Sequence, residues 1–318
     1  MSRKKIALIG SGNIGGTIAH LITQKNLGDV VLVDIDPDMP AGKALDIQQG
    51  CAVYGNNVEV TGGSSDDLLK DSDVVIVTAG IPRKPGMSRD DLLEINAKII
   101  KSVGERIGKN CPNAFVIVIT NPLDVMVWVM KEASGLPSSH VVGMAGVLDT
   151  SRYKTFLSKA LGVSVNDIQG FVLGGHGDSM VPMPRYTTIC GIPLSEFIEN
   201  GFISQDEVTA IIDRTRSGGG EIVSLLKNGS AFYAPAESAV SMAESYLLDQ
   251  KRLLPCASFL SGEYGINDCY MGVPSIIGEN GIERIIDLKL NDDEKVLLKK
   301  SHESVIGLME SVKKLGVM

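Results

Sequence analysis

The stretch from Ile6 to Asp34 constrains this chain more than any other. An apolar run at residues 6–9 feeds into Gly10-Ser11-Gly12-Asn13-Ile14-Gly15, and that into residues 17–22, whose apolar positions have helical spacing. A second apolar run, residues 30–33, ends on Asp34. Strand, glycine turn, helix, strand and acid stand in the order that a dinucleotide site requires. Gly10 allows the tight turn, Gly12 lets the backbone approach a pyrophosphate, and Gly15 lets the helix pack close to the sheet. The helix N-terminus, at Asn13 and Ile14, offers free N–H groups to the phosphate charge. Asp34, about 20 residues past the glycines, sets a carboxylate where ribose hydroxyls would donate and a 2′-phosphate would be repelled. NAD, not NADP, is the cofactor this predicts.

Further apolar runs follow at residues 74–77, 115–119 and 141–142. They are continuous, not alternating, as strands buried on both faces should be. Helical patterns lie between the later ones. The clearest is Leu92, Ile95, Ile99, Val103 and Ile107, opened by Ser88-x-x-Asp91 as a capping box. Alternating strands and helices predict an α/β, doubly wound parallel sheet over residues 1–144. Residues 145–318 read as a second, α+β domain. They hold a helix over 150–161, a strand over 168–173, and the turn Gly174-Gly175-His176-Gly177-Asp178. A long helical region from Gln205 is interrupted at Gly218-Gly219-Gly220 and again near Asn228-Gly229-Ser230. The triple glycine reads as a hinge or as a kink where backbones approach, and the kink is the expectation, since a helical glycine needs a packing reason. Antiparallel strands near 253–260, 268–277 and 282–286 precede a last helix capped by Asn291-x-x-Glu294.

The charge balance, 30 basic against 38 acidic residues, gives a net charge of -8 and argues against nucleic acid as a partner. No apolar run approaches the ~18 residues of a membrane span. Five scattered cysteines without a C-x-x-C pair read as free thiols in a reducing compartment, hence a cytoplasmic location. Arg3-Lys4-Lys5 before residues 6–9 imitates a signal peptide, but the glycine turn breaks the apolar part too early.

Four features carry chemistry. The loop of residues 79–89 follows the carboxyl end of the 74–77 strand, where ligands bind in such sheets. Its cations Arg83, Lys84 and Arg89 and its two prolines suit a positively charged lid, or else a solvated surface loop. Asn121, in Thr120-Asn121-Pro122, either donates to a substrate oxygen or caps the next helix. Asp149 and Arg152, three apart at a helix start, share a face. His176 stands in a glycine-rich turn, where a ring can project into a cleft, whereas His20 and His140 read as structural. If Asp149 reaches His176, the pair is an oriented acid/base with a raised pKa; spacing alone does not decide that contact. No cluster of metal ligands is present in the pattern.

G-S-G-N-I-G, the arginine-bearing loop, T-N-P-L-D, G-V-L-D-T-S-R and G-G-H-G-D together resemble the lactate/malate dehydrogenase family, over nearly the whole chain. In detail the motifs are most similar to the malate dehydrogenases of its lactate-dehydrogenase-like subgroup. The resemblance implies a Rossmann sheet followed by a catalytic domain, and reversible hydride transfer between malate C2 and the nicotinamide of NAD. It implies that His176 is the proton donor and acceptor, Asp149 its orienting carboxylate, and Arg89 the lid arginine that polarises the carbonyl with help from Asn121. Arg152 would pair with the C1 carboxylate, and Asn96 and the Ile119–Asn121 backbone would contact the cofactor. Arg83 stands where lactate enzymes commonly have glutamine, and would pair the second carboxylate of malate or oxaloacetate. Lactate dehydrogenase or a broad 2-ketoacid reductase is the alternative. The family is dimeric or tetrameric, so a homotetramer serving the tricarboxylic acid cycle is expected, with no nucleic acid, membrane or metal.

Overall fold

The continuous apolar runs form neighbouring strands of one sheet. The computed structural model describes residues 3–82 and 88–318. In chain order the first half gives β1 (Lys5–Ile9), α1 (Asn13–Gln24), β2 (Asp29–Val33), α2 (Asp38–Tyr54), β3 (Val60–Gly63), β4 (Val74–Val77), α3 (Arg89–Asn110), β5 (Phe115–Val118), α4 (Leu123–Ser134) and β6 (Val141–Gly143). All six strands pair in parallel, with Ile9 opposite Val33 on one side and Val77 on the other. Every residue of β4 and β5 is buried, which is why no polar residue alternates along them.

The second half gives α5 (Gly146–Leu161), β7 (Ile168–Gln169), β8 (Val172–Leu173), β9 (Val181–Pro182), β10 (Thr188–Ile189), β11 (Ile192–Pro193), α6 (Leu194–Glu199), α7 (Gln205–Leu226), α8 (Tyr233–Leu247), β12 (Arg252–Ser261), β13 (Asn267–Gly278), β14 (Gly281–Ile285) and α9 (Asp292–Lys314). The antiparallel strands β12 to β14 do not stand apart. β12 pairs with β6 through Ala257 and Gly143, and the sheet runs β14-β13-β12-β6-β5-β4-β1-β2-β3. The pairing covers what would be an open edge at β6. One apolar core lies on each face of this sheet, and a third gathers Tyr153, Leu157, Ile168 and Met180 beneath the short strands.

Both expected capping boxes are present, Ser88 with Asp91 and Asn291 with Glu294. Three readings change. The buried face of α3 is Leu93, Ala97, Ile100, Val103 and Ile107, while Ile95 is 37% exposed. That face packs on α4, where a Cβ at Gly104 would lie 2.8 Å from that of Ala133, so small residues mark the contact and an apolar count overlooks them. The strand expected over 168–173 is split into β7 and β8, which belong to different small sheets. The triple glycine does not interrupt the helix: α7 continues through it, and a Cβ at Gly218 would lie 3.1 Å from Cδ of Arg152. The packing reason exists, but a side chain supplies it. The second expected interruption does occur, with α7 ending at Leu226 and α8 starting at Tyr233.

Among the described residues no helix is long and apolar enough to cross a membrane. The five cysteines are free, and all but Cys190 are buried.

Candidate active site

The glycine turn leaves the carboxyl end of β1. Gly10 takes φ +105°, open to glycine at little cost, and its N–H donates to the Val33 carbonyl at 2.8 Å. A Cβ on Gly15 would collide with the Gly10 carbonyl oxygen, so glycine there lets α1 start tight against the turn. A Cβ on Gly12 would meet no protein atom within 4 Å. Asp34 accepts the Ser11 N–H on Oδ2 at 2.6 Å, which fixes the acid beside the turn. The Ser11 hydroxyl is buried without a partner, and no side chain caps the N-terminus of α1. Lys43 of α2 was not anticipated. Its Nζ donates to the carbonyls of Ser11 and Gly12 at 2.7 and 2.9 Å, turning those oxygens away from the free amides. Free helix amides, an orphaned hydroxyl and open space over Gly12 fit a dinucleotide pyrophosphate.

At the ends of β4 and β5 the backbone is tied across the sheet. Thr120 Oγ1 donates to the Ala79 carbonyl at 2.6 Å. Asn96, buried in α3, accepts the Ile81 N–H at 2.9 Å and donates to the carbonyls of Ile81 and Asn121 at 3.2 and 2.7 Å. Ile119 is buried and the Asn121 side chain is exposed. Asn121 does not cap α4, whose N-cap is Pro122 without a side-chain bond. Arg83 and Lys84 lie outside the described residues. Arg89 opens α3, and its side chain is likewise outside them.

The turn between β8 and β9 carries His176. Its Nδ1 lies 2.8 Å from Asp149 Oδ2, so the contact that spacing left open is made. Asp149 is 2% exposed in its side chain, and its other oxygen accepts from Arg152 at 3.2 Å. The same guanidinium has its Nε buried without a partner. The His176 pKa moves up from its ordinary 6.5: burial opposes the charged ring, and the Asp149 and Asp124 carboxylates outweigh it. Asp124, at the start of α4, accepts the His176 N–H at 2.8 Å. Burial pushes its carboxyl up to about 6. Asp124 was the final residue of T-N-P-L-D, but nothing in the spacing pointed from it to His176. Among the described residues no three His, Cys, Asp or Glu side chains cluster as metal ligands would.

A doubly wound sheet with a glycine turn and a carboxylate at its switch point, joined to an Asp-oriented histidine, defines an NAD-dependent oxidoreductase. The lactate/malate dehydrogenase, NAD binding domain, matches residues 4–143, and the lactate/malate dehydrogenase, alpha/beta C-terminal domain, matches residues 146–315. The chain belongs to the lactate/malate dehydrogenase family. It is 59% identical to a malate dehydrogenase of Caulobacter vibrioides, over 98% of both chains. The structure of Cryptosporidium parvum malate dehydrogenase superposes with a TM-score of 0.96 at 53% identity, covering 98% of this chain and 99% of that one. A lactate dehydrogenase from Eimeria maxima, solved with NADH and oxamate, gives 0.97 at 50% identity, covering 99% and 96%.

Proposed function

We propose that, in the NAD-dependent interconversion of malate and oxaloacetate catalysed by this chain, His176 is the proton donor and acceptor and Asp149 holds its ring. The 2.8 Å Nδ1–Oδ2 contact carries this reading. With Nδ1–H donated to Asp149, the lone pair of the neutral ring is on Nε2, free to take the malate hydroxyl proton. The carboxylate then stabilises the imidazolium that forms, and in the reverse direction that imidazolium returns the proton. Bound NAD supplies the hydride acceptor at nicotinamide C4, and NADH the donor. Gly10, Gly12, Asn13, Ile14 and Gly15 would receive its pyrophosphate, and Asp34 its ribose. Ile119, Asn121 and Asn96 belong to the nicotinamide side, where the Asn96 amide shapes the Ile81 and Asn121 backbone.

Arg152 offers its unpartnered Nε, with a terminal nitrogen, to the C1 carboxylate. Arg89 and Arg83 come from the loop that would close over the substrate. Arg89 would steady the developing oxyanion with Asn121, and Arg83 would meet the second carboxylate. Closure excludes water and strengthens each contact. The chain is read as a cofactor domain over 1–144 and a substrate domain over 145–318. It would work in the cytoplasm, in the tricarboxylic acid cycle, as a homotetramer or dimer; sedimentation at assay concentration distinguishes these from a monomer.

The experiment on substrate choice compares oxaloacetate and pyruvate with NADH in the parent and in Arg83→Gln. Oxaloacetate should be strongly preferred by the parent. Losing one partner of a buried charge pair costs about 2–5 kcal/mol. At ~1.4 kcal/mol per tenfold, Arg83→Gln should lower kcat/KM for oxaloacetate roughly 30- to 4,000-fold. Pyruvate turnover should be unchanged or higher. An equal fall for both substrates would mean that Arg83 only positions the lid, and a parent that prefers pyruvate would leave lactate dehydrogenase or a broad 2-ketoacid reductase as the better reading.

A further inference from the structure

The glycine turn after β1 contains three successive peptide units, and they are not held alike. The unit joining Gly10 to Ser11 is fixed on both edges: the Ser11 N–H donates to Asp34 Oδ2 at 2.6 Å, and the Gly10 carbonyl accepts from Thr78 Oγ1 at 3.0 Å. The unit joining Gly12 to Asn13 is fixed by α1, since the Gly12 carbonyl accepts the Gly16 N–H at 3.0 Å. Between them, the unit joining Ser11 to Gly12 has no backbone partner on either edge among the described residues. Its tie is Lys43 of α2, whose Nζ donates to the Ser11 carbonyl at 2.7 Å and reaches on to the Gly12 carbonyl at 2.9 Å.

In a planar trans peptide the C=O and the N–H point in opposite directions. By holding the Ser11 carbonyl, Lys43 therefore turns the Gly12 N–H away from itself, and no group among the described residues accepts that N–H. A glycine on one side of the unit makes its rotation easy. Rotated, the unit would present a carbonyl oxygen where it now presents an amide, and an oxygen repels the phosphate that an N–H attracts. The surroundings provide for the lysine. A Cβ on Gly16 would lie 3.4 Å from both Cδ and Nζ of Lys43, so the glycine leaves the side chain its path across α1. Asp36 Oδ1 accepts the N–H groups of Asp38 and Met39 at 2.9 Å, which starts α2 two residues after Asp34. One lysine on that helix thus reaches back to the turn that Asp34 holds from the other edge.

We propose that Lys43 is a positioning residue for the cofactor pyrophosphate, locking the Ser11–Gly12 peptide with its N–H outward before the cofactor arrives. It acts from behind the turn, through the peptide, and is not itself a phosphate ligand. Without it the peptide rotates, and binding must order it. Ordering about one backbone residue corresponds to a roughly 5- to 30-fold loss of affinity for any ligand that carries the pyrophosphate.

The inference rests on the glycine turn receiving the pyrophosphate, which Gly12→Ala tests separately. ADP-ribose is titrated calorimetrically into the full-length parent, Lys43→Met and Gly12→Ala without substrate. NADH binding is followed by its fluorescence, and adenosine binding by displacement of NADH. Lys43→Met should weaken ADP-ribose and NADH by the factor above and leave adenosine, which has no phosphate, as it was. KM for NADH rises in step while kcat does not fall. The unfolding midpoint of the free enzyme stays close to the parent's, and the rise in midpoint on adding ADP-ribose shrinks. If adenosine weakens as much as ADP-ribose, or the free enzyme loses stability along with every affinity, Lys43 only packs the turn and the proposal fails. If Gly12→Ala weakens ADP-ribose and Lys43→Met does not, the turn receives the pyrophosphate without the lysine's help, and the proposal fails alone. If neither variant weakens ADP-ribose, the reading beneath it fails with it.

Discussion

The glycine turn after β1 is held through its backbone: the Gly10 and Ser11 N–H groups donate to the Val33 carbonyl and to Asp34, each 23 residues away, and its carbonyls accept from Lys43 of α2 and from Thr78. The turn that carries His176 is held by side chains, Asp149 at 27 residues, Asp124 at 52 and Ser301 at 126. The first presents backbone amides, whose positions follow from φ and from what may sit at each residue. The second presents one ring, whose orientation and proton affinity follow from groups on α4, α5 and α9. Backbone-built sites should therefore fail through shape, and side-chain-built sites through charge and hydrogen bonding, with the fold left standing.

The largest expected effect lies in the second region. His176→Asn keeps a polar side chain of similar shape but removes the titrating group. General acid–base catalysis is worth roughly 10²–10⁴-fold, so turnover should fall by that factor with the unfolding midpoint close to the parent's. In the parent, oxaloacetate reduction should decline as pH rises through the raised His176 pKa, and malate oxidation should increase over the same range. A variant keeping more than a few per cent of parental turnover would remove His176 from the mechanism. A collapse of stability along with activity would instead erase the contrast between the regions.

The same contrast explains what could be read without coordinates. Ile6 to Asp34 was legible because every part of it is local: an apolar run, three glycines, a helix and an acid in order. The strands β12, β13 and β14 were legible within a residue or two for the same reason. β3 was not, since its sequence V-T-G-G has little apolar content and its Gly62 fits beneath α2 at the sheet edge. The apolar count misplaced the first part of the buried face of α3, because Leu92 and Leu93, and Ile99 and Ile100, are adjacent apolar pairs and the small Ala97 takes the place expected of Ile95. Asp149, Arg152 and His176 could each be named as candidates, but only the fold brings them within hydrogen-bond distance. Asp124 and Lys43 carried no local signal beyond belonging to, or lying near, a motif, and their roles are set by where α4 and α2 pack.

Within the glycine turn, two substitutions of equal size should separate shape needed by the fold from shape needed by a ligand. Gly15→Ala drives a methyl into the Gly10 carbonyl, and a backbone atom cannot swing aside. Overpacking of this kind costs about 1–3 kcal/mol or more, so a clear fall in unfolding midpoint is expected, with weakened NADH binding following from the distorted turn. Gly12→Ala meets no protein atom and should leave the unfolding midpoint within a degree or so of the parent. Its methyl points into the space assigned to the pyrophosphate, so KM for NADH should rise while stability does not. Thermal melts and NADH titrations of the two variants decide this. If Gly12→Ala binds NADH as tightly as the parent, the open space above Gly12 is not where the cofactor lies.

The smallest effect expected is at Gly218, where a glycine inside a helix serves a side chain on another element. A Cβ there would lie 3.1 Å from Cδ of Arg152, close enough that one of the two must shift by a few tenths of an ångström. α7 continues through the triple glycine, so Gly218→Ala has no backbone reason to break it. Replacing a helical glycine by alanine favours the helix by about 1 kcal/mol, which offsets part or all of the crowding. The Arg152 side chain is the softer partner, held among the described residues by one 3.2 Å bond to Asp149, and it should give way. Tilting a guanidinium that must meet a carboxylate edge-on weakens the pair without abolishing it. A three- to tenfold rise in KM for oxaloacetate corresponds to about 0.7–1.4 kcal/mol, with kcat and the NADH KM much less affected. The unfolding midpoint should stay level or rise. That combination, a more stable helix with a poorer substrate site, would assign Gly218 to the side-chain-built region although it lies in a regular helix. A lower midpoint with unchanged KM would show the reverse, that the glycine is there for helix packing and Arg152 merely lies against it.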